Sequence, residues 1–133
     1  MAKLVFDSSA LIAVAKRHVR FDELISDDEE YFLPEVVVAE FLTGVELATS
    51  EKTKNYELTV LDAFENISEV IPFDRKQARA WAILSAASIR SGRTRSNFDL
   101  AIASAAFVLE AQVLTSDRST QFEQLPGVSA QYF

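Results

Sequence analysis

Four carboxylates stand where an apolar core would ordinarily reject them. Asp7 follows the run Leu4, Val5, Phe6 in "KLVFDSSAL", and Asp117 closes "QVLTSD" in the same way. Glu40 lies inside "VVVAEFLTG", where helical spacing makes Val36, Val37, Phe41 and Gly44 its neighbours. Asp99, in "NFDLAIASAA", is followed at three, four and seven residues by Ile102, Ala103 and Ala106. Each has an ordinary explanation when taken alone. Asp7 and Asp117 suit helix caps, Asp99 suits a first helical turn, and Glu40 suits a buried ion pair. Taken together they describe a pocket of acids, whose mutual repulsion would raise some pKa values. A hard divalent cation removes that repulsion, and an all-oxygen donor set favours Mg²⁺ or Mn²⁺. Ser9 and Thr115 stand beside the two acids at strand ends. Their hydroxyls are placed to hydrogen-bond a carboxylate, a metal-bound water or a phosphate, or to cap helices.

The elements that must hold these residues are legible as alternating strands and helices. Residues 3–6 predict a strand and 8–17 a helix, with Lys16, Arg17 and His18 at its end, where cations suit the helix dipole. A short helix near 20–26 and a solvated turn over "DDEE", 27–30, follow. Tyr31 to Leu33 suit a strand, and Pro34 opens a helix that runs to about 48. Residues 51–66 form an amphipathic helix with Tyr56, Val60, Leu61 and Phe64 on one face. "EVIPF" predicts a strand containing Pro72, hence an edge strand. Residues 74–91 predict a helix carrying Trp81, Ile83, Leu84 and Ile89, with Trp81 in the core, and stopped by Gly92. A basic loop, "GRTRS", leads to the alanine-rich helix of Asp99. "QVLTSD" and "VSAQYF" supply the last strands. This alternation predicts one α/β domain over 1–133 with a mainly parallel sheet. In such sheets ligands bind beyond the carboxyl ends of the strands, where Asp7 and Asp117 both fall.

Composition narrows the chemistry. There is no cysteine and a single histidine, which excludes disulfides and Cys-based zinc sites and leaves His-dependent catalysis poorly supplied. No apolar run approaches the length of a membrane helix, and the start lacks a signal-peptide layout, so a cytosolic protein with no membrane partner is expected. The net charge of −7 is unevenly spread. Residues 1–69 carry 15 acids against 6 bases, and residues 70–133 carry 5 against 7. A polyanion would meet the second half, or would need metal ions to mask the first.

The four motifs in this order resemble the PIN-domain ribonucleases, and among them the VapC toxins of type II toxin–antitoxin systems. "LVFDSSALIA" matches the opening strand with its aspartate, and "VVVAEFLTG" the helix with its glutamate and glycine. "NFDLAIASAA" matches the aspartate before an Ile-Ala pair, and "QVLTSD" the final Thr-x-Asp. The likeness covers nearly the whole chain. Two departures stand out: Phe122 comes five residues after Asp117 rather than three, and Arg118 and Ser119 replace any further acid. The resemblance implies a three-layer α/β/α sandwich with a central sheet of four or five strands. It also implies a homodimer and a VapB-like antitoxin partner that often pushes an arginine into the acidic pocket.

The resulting expectation is a Mg²⁺-dependent endoribonuclease. Asp7, Glu40, Asp99 and Asp117 would hold one or two ions that activate water for in-line attack on an RNA phosphodiester. Arg90, Arg93 and Arg95, with Arg75, Lys76 and Arg79, would either grip the RNA backbone or be ordinary surface charge. A stand-alone RNA-processing nuclease, or a non-catalytic module that binds RNA or a partner, shares the same fold. Two other α/β classes fail on the residues: receiver domains need an acidic pair after the first strand, and haloacid-dehalogenase-type phosphatases need Asp-x-Asp, where Ser9 stands.

Overall fold

A computed structural model describes all 133 residues. Five strands, β1 (Ala2–Phe6), β2 (Glu29–Pro34), β3 (Ser68–Ile71), β4 (Gln112–Thr115) and β5 (Ser129–Tyr132), form one sheet in the order β3-β2-β1-β4-β5. Every neighbouring pair is parallel. Parallel strands need crossovers. Six helices supply the first three, α1 (Ser8–Ala15), α2 (Phe21–Leu24), α3 (Glu35–Leu47), α4 (Glu51–Ile67), α5 (Arg75–Arg90) and α6 (Asn97–Leu109), and a loop with one 3₁₀ turn, Phe122–Gln124, joins β4 to β5. From β1 the chain steps outward through β2 to β3, then returns past β1 to β4. The right-handed crossover rule therefore sends α5 and α6 to the face opposite α1 and α4. Accordingly α1 packs with α4 and α5 with α6, while α3 touches both groups. This is the three-layer α/β/α arrangement expected from the sequence.

β1 is the centre of the sheet, which explains why Leu4, Val5 and Phe6 are apolar without alternation: both faces are covered and all three are buried. Under α4 the core is aromatic. Phe6 stacks on Tyr31 at 5.1 Å, and Phe64 meets the edges of Phe6 and Phe21 at 4.9 and 5.1 Å. On the other face α6 is so rich in alanine that it lies close upon β1 and β4.

Several boundaries differ from expectation for identifiable reasons. Glu29 and Glu30 belong to β2, not to a turn, and pair in register with Ala2 and Lys3. β3 stops at Ile71, so Pro72 follows the edge strand rather than lying in it. On α5 the buried stripe is Gln77, Ala80, Leu84 and Ser88. Ile83 and Ile89 are 54 % and 68 % exposed, because α5 leans on α6 along one narrow face. α1 ends at Ala15 and places His18 beyond its end. There Arg17 adopts a left-handed φ of 62°, and the His18 N–H donates to the Ala13 carbonyl at 2.9 Å. That is a Schellman cap with arginine where glycine is usual. α5 closes the same way with Gly92 at φ 77°, the glycine expected as its stop. Gly127, at φ 72°, is required twice over, since a Cβ there would sit 2.8 Å from the Phe107 ring.

Candidate active site

The return of the chain from β3 to β4 makes the gap between β1 and β4 the topological switch point of the sheet. A crevice opens there at the carboxyl ends of the strands. Asp7 and Asp117 lie on its two sides. A cavity of about 310 Å³ is lined by Asp7, Ser9, Asp99 and Asp117, with Lys16 and His18 on its wall.

Asp7 answers to both structure and site. Its backbone still pairs with β4, the Asp7 N–H donating to the Leu114 carbonyl at 3.4 Å, and its side chain caps α1 by accepting the Ser9 N–H at 3.1 Å. The register Phe6↔Leu114 places Asp7 opposite Thr115. Ser9 Oγ donates to Asp7 Oδ1 and Thr115 Oγ1 to Asp7 Oδ2, each at 2.5 Å. The same hydroxyls accept in turn: Ser9 Oγ from the Ser116 N–H and Thr115 Oγ1 from the Asp117 N–H, both at 2.9 Å. Ser9 and Thr115 thus work as braces that pin Asp7 and tie the start of the Asp117 loop to α1. Burial pushes the Asp7 carboxyl up, and these hydrogen bonds only partly offset that push.

Glu40 lines an adjoining cavity of about 230 Å³, and Ile12 and Lys16 border both spaces. Its Oε1 is buried and receives no hydrogen bond. Burial raises its pKa first, and the charges of Asp99 and Asp7 raise it further. Asp99 stands in the first turn of α6, behind the cap made by Ser96 Oγ and the Asp99 N–H at 3.0 Å. Asp117 differs. Its Oδ1 accepts from the Ser119 N–H and Oγ at 2.9 and 2.6 Å, and its Oδ2 from Thr120 Oγ1 at 2.6 Å. These bonds hold its pKa down, with the Ser119 hydroxyl contributing most.

Asp7, Asp99 and Asp117 thus share one cavity, and Glu40 feels the charges of Asp99 and Asp7, yet no three His, Cys, Asp or Glu side chains converge closely enough to grip an ion. The donor chemistry still fits a hydrated Mg²⁺, which keeps several waters and takes only one or two carboxylates directly. The orphaned oxygen of Glu40, joined in the same cavity by that of Glu57, is the observation in favour: a buried acceptor without a donor is expensive unless something outside the chain completes it.

The basic segment behaves otherwise than a free phosphate grip. Arg90 is exposed, as are Arg75, Lys76 and Arg79. Arg93 and Arg95 instead direct their guanidiniums at the 119–124 stretch of their own chain. Lys16 and His18 also stand on the wall: Lys16 follows Ser9 and Ile12 at helical spacing along α1, a signal the sequence held, whereas only the Schellman turn brings in His18.

A model of the PIN domain family matches residues 4–128, nearly the whole chain. The chain belongs to the PIN-domain family. No protein of curated function matches its sequence. Among solved structures, this PIN domain is similar to a chain of VapBC-5 from Mycobacterium tuberculosis, a member of the VapBC family of toxin–antitoxin systems. The identity is 28 %, all of both chains is covered, and the TM-score is 0.80. It also shares its fold with a chain of VapBC2 from Rickettsia felis bound to a promoter DNA fragment, at 21 % identity, 98 % of each chain and TM-score 0.85. A chain of the DNA-bound VapBC of Salmonella typhimurium aligns at 23 % identity over 99 % of this PIN domain and 98 % of that chain, with TM-score 0.82. The resemblance to VapC-type chains read from the four motifs thus holds at the level of the whole fold.

Proposed function

We propose that this PIN domain is a Mg²⁺-dependent endoribonuclease and the toxin of a VapBC-type pair, with a VapB-like antitoxin as partner and a homodimer as its working form. The observation that carries the reading is the cavity of Asp7, Asp99 and Asp117 at the switch point, with Glu40 Oε1 buried and lacking a donor in the space adjoining it. Asp7, Glu40, Asp99 and Asp117 would hold the ion, directly or through water. A divalent ion would supply the charge that makes water nucleophilic and stabilises the phosphate during displacement.

The residues of the chain then have separable tasks. Asp7, braced by Ser9 and Thr115, gives a fixed anionic anchor. Glu40 Oε1 offers a buried acceptor that no group of the chain satisfies. Asp99 brings α6 to the cavity, and the Asp117 carboxylate keeps one acceptor position on Oδ2 after the Thr120 bond. Lys16 and His18 put cationic and polar groups on the wall that a phosphodiester would meet. Incubating purified protein with RNA in Mg²⁺, in EDTA, and as Asp7→Asn tests the reading. Cleavage only by the unmodified protein in Mg²⁺ supports it. RNA binding without cleavage in any divalent ion would make the domain a binding module instead.

A further inference from the structure

Two arginines outside the acid pocket converge on the loop that carries Asp117. Arg93 Nη2 donates to the carbonyls of Ser119 and of Thr120 (3.1 Å), and Arg93 Nη1 to the Oε1 atoms of Gln121 and of Gln124 (3.1 Å). Arg95 Nη1 donates to the Thr120 carbonyl, and Arg95 Nη2 to that of Gln121 at 3.2 Å. Three successive carbonyls, 119 to 121, are thereby capped from one side. From the other side the Asp117 carboxylate collects the Ser119 and Thr120 donors. The loop needs such restraint, because Gln121 holds a left-handed φ of 51°.

Neither arginine is spent on an acid; the sole ion pair of the protein is Arg20 with Asp22. Arg93 is aimed by the end of α5. The chain reverses at Gly92, the Arg93 N–H donates to the Ser88 carbonyl at 3.2 Å, and the buried Ser88 hydroxyl donates to the Arg93 carbonyl. Arg95 immediately precedes Ser96, the cap of the helix whose first turn bears Asp99. One short segment therefore touches both the Asp117 loop and the Asp99 helix. A planar guanidinium fork suits this capping of adjacent carbonyls in a way an ammonium does not.

Resting on the ribonuclease reading of the pocket, we propose that Arg93 and Arg95 are positioning residues that lock the 117–121 turn to the start of α6 and so fix the Asp117 carboxylate relative to Asp99. Four of the five N–H donors of Arg93 and two of the five of Arg95 are already committed to this loop. The pair acts on the reaction through Asp117 and does not touch the substrate.

The test compares the unmodified protein with Arg93→Gln, Arg95→Gln and the double variant. Amide hydrogen exchange at Ser119 and Thr120 should accelerate at least about tenfold in the double variant, the equivalent of one lost bond of ~1.4 kcal/mol, with β1 and α1 unchanged. Calorimetric Mn²⁺ affinity should fall. In Mg²⁺, kcat on RNA should drop at least about tenfold while KM stays within about twofold, and the salt dependence of RNA binding in Ca²⁺ should not change. Unaltered exchange at Ser119 and Thr120 overturns the proposal. So does a raised KM with a salt slope flattened by about 0.7 per lost contact, since the arginines would then be holding RNA. If the double variant fails to fold, Arg95→Gln alone, which leaves the Arg93 bonds in place, carries the same comparison. If the unmodified protein cleaves no RNA with any divalent ion, the ribonuclease reading fails, while exchange and Mn²⁺ affinity still decide the lock.

Discussion

Asp7 and Glu40 are both raised in pKa by burial, but they are supported very differently, and their variants should part company accordingly. Asp7 is met by Ser9 and Thr115, so Asp7→Asn keeps a cap and one acceptor while shedding a buried charge. Its stability should lie within about 1 kcal/mol of the unmodified protein or above it, with RNA cleavage at background; a cleavage assay beside a thermal melt checks both. Glu40 has no donor to lose, so Glu40→Gln should raise the melting temperature at neutral pH. The sign follows from linkage: its folded pKa lies above its unfolded one, so the ionised carboxylate is a penalty present above the folded value and absent below the unfolded one. The advantage of Glu40→Gln should therefore shrink as pH falls through that window. Asp117 has the opposite sign, since its hydrogen bonds stabilise the fold above the unfolded pKa and are lost as pH falls through the lower folded value. Melts of the unmodified and Glu40→Gln proteins across the acidic range test this, and a pH-independent difference would remove the buried-charge argument.

At the level of elements, the seam between β1 and β4 is closed by a side chain as well as by the ladder. Thr115→Val keeps the shape and the β-branch but deletes the donor to Asp7 and the acceptor for the Asp117 N–H. It should cost about 1–3 kcal/mol by chemical denaturation, because two polar groups lose their partner, and it should reduce cleavage. Gly127→Ala should be comparably destabilised, combining a left-handed φ with the contact against Phe107. The strands and helices themselves were legible because burial imposes its period on the sequence: α4 reads 3.6-fold, and β1 is an unbroken apolar run. The start of β2 was not, because Glu29 and Glu30 pair with the exposed beginning of β1, and a run of acids there mimics a turn. The four acids could be found as misplaced charges. The partners of Arg93 and Arg95 could not, since their acceptors are mostly backbone carbonyls 25 to 27 residues away, which no side-chain pattern records.

The whole molecule carries a net charge of −7 and a single ion pair between exposed side chains. Its acidic half is left largely unneutralised, so divalent ions should stabilise the fold beyond their effect on ionic strength. At a hundredfold excess over the dissociation constant the gain is about 2.7 kcal/mol. Melts in MgCl₂ against NaCl of equal ionic strength would reveal it, and Asp7→Asn should lose most of the difference. The order of strands has a consequence in time. β1 is made before the other four strands, yet one of its two flanking neighbours, β4, lies more than a hundred residues downstream, as does the Thr115 hydroxyl that fixes Asp7. During synthesis from the N-terminus, at about 5–20 residues per second, the nascent chain holds Asp7 and Glu40 for several seconds without the strand that would make them a pocket. Such distant pairing also closes slowly. A growing chain on the ribosome therefore carries acids but no assembled centre, and any activity the centre has begins only after β4 has emerged.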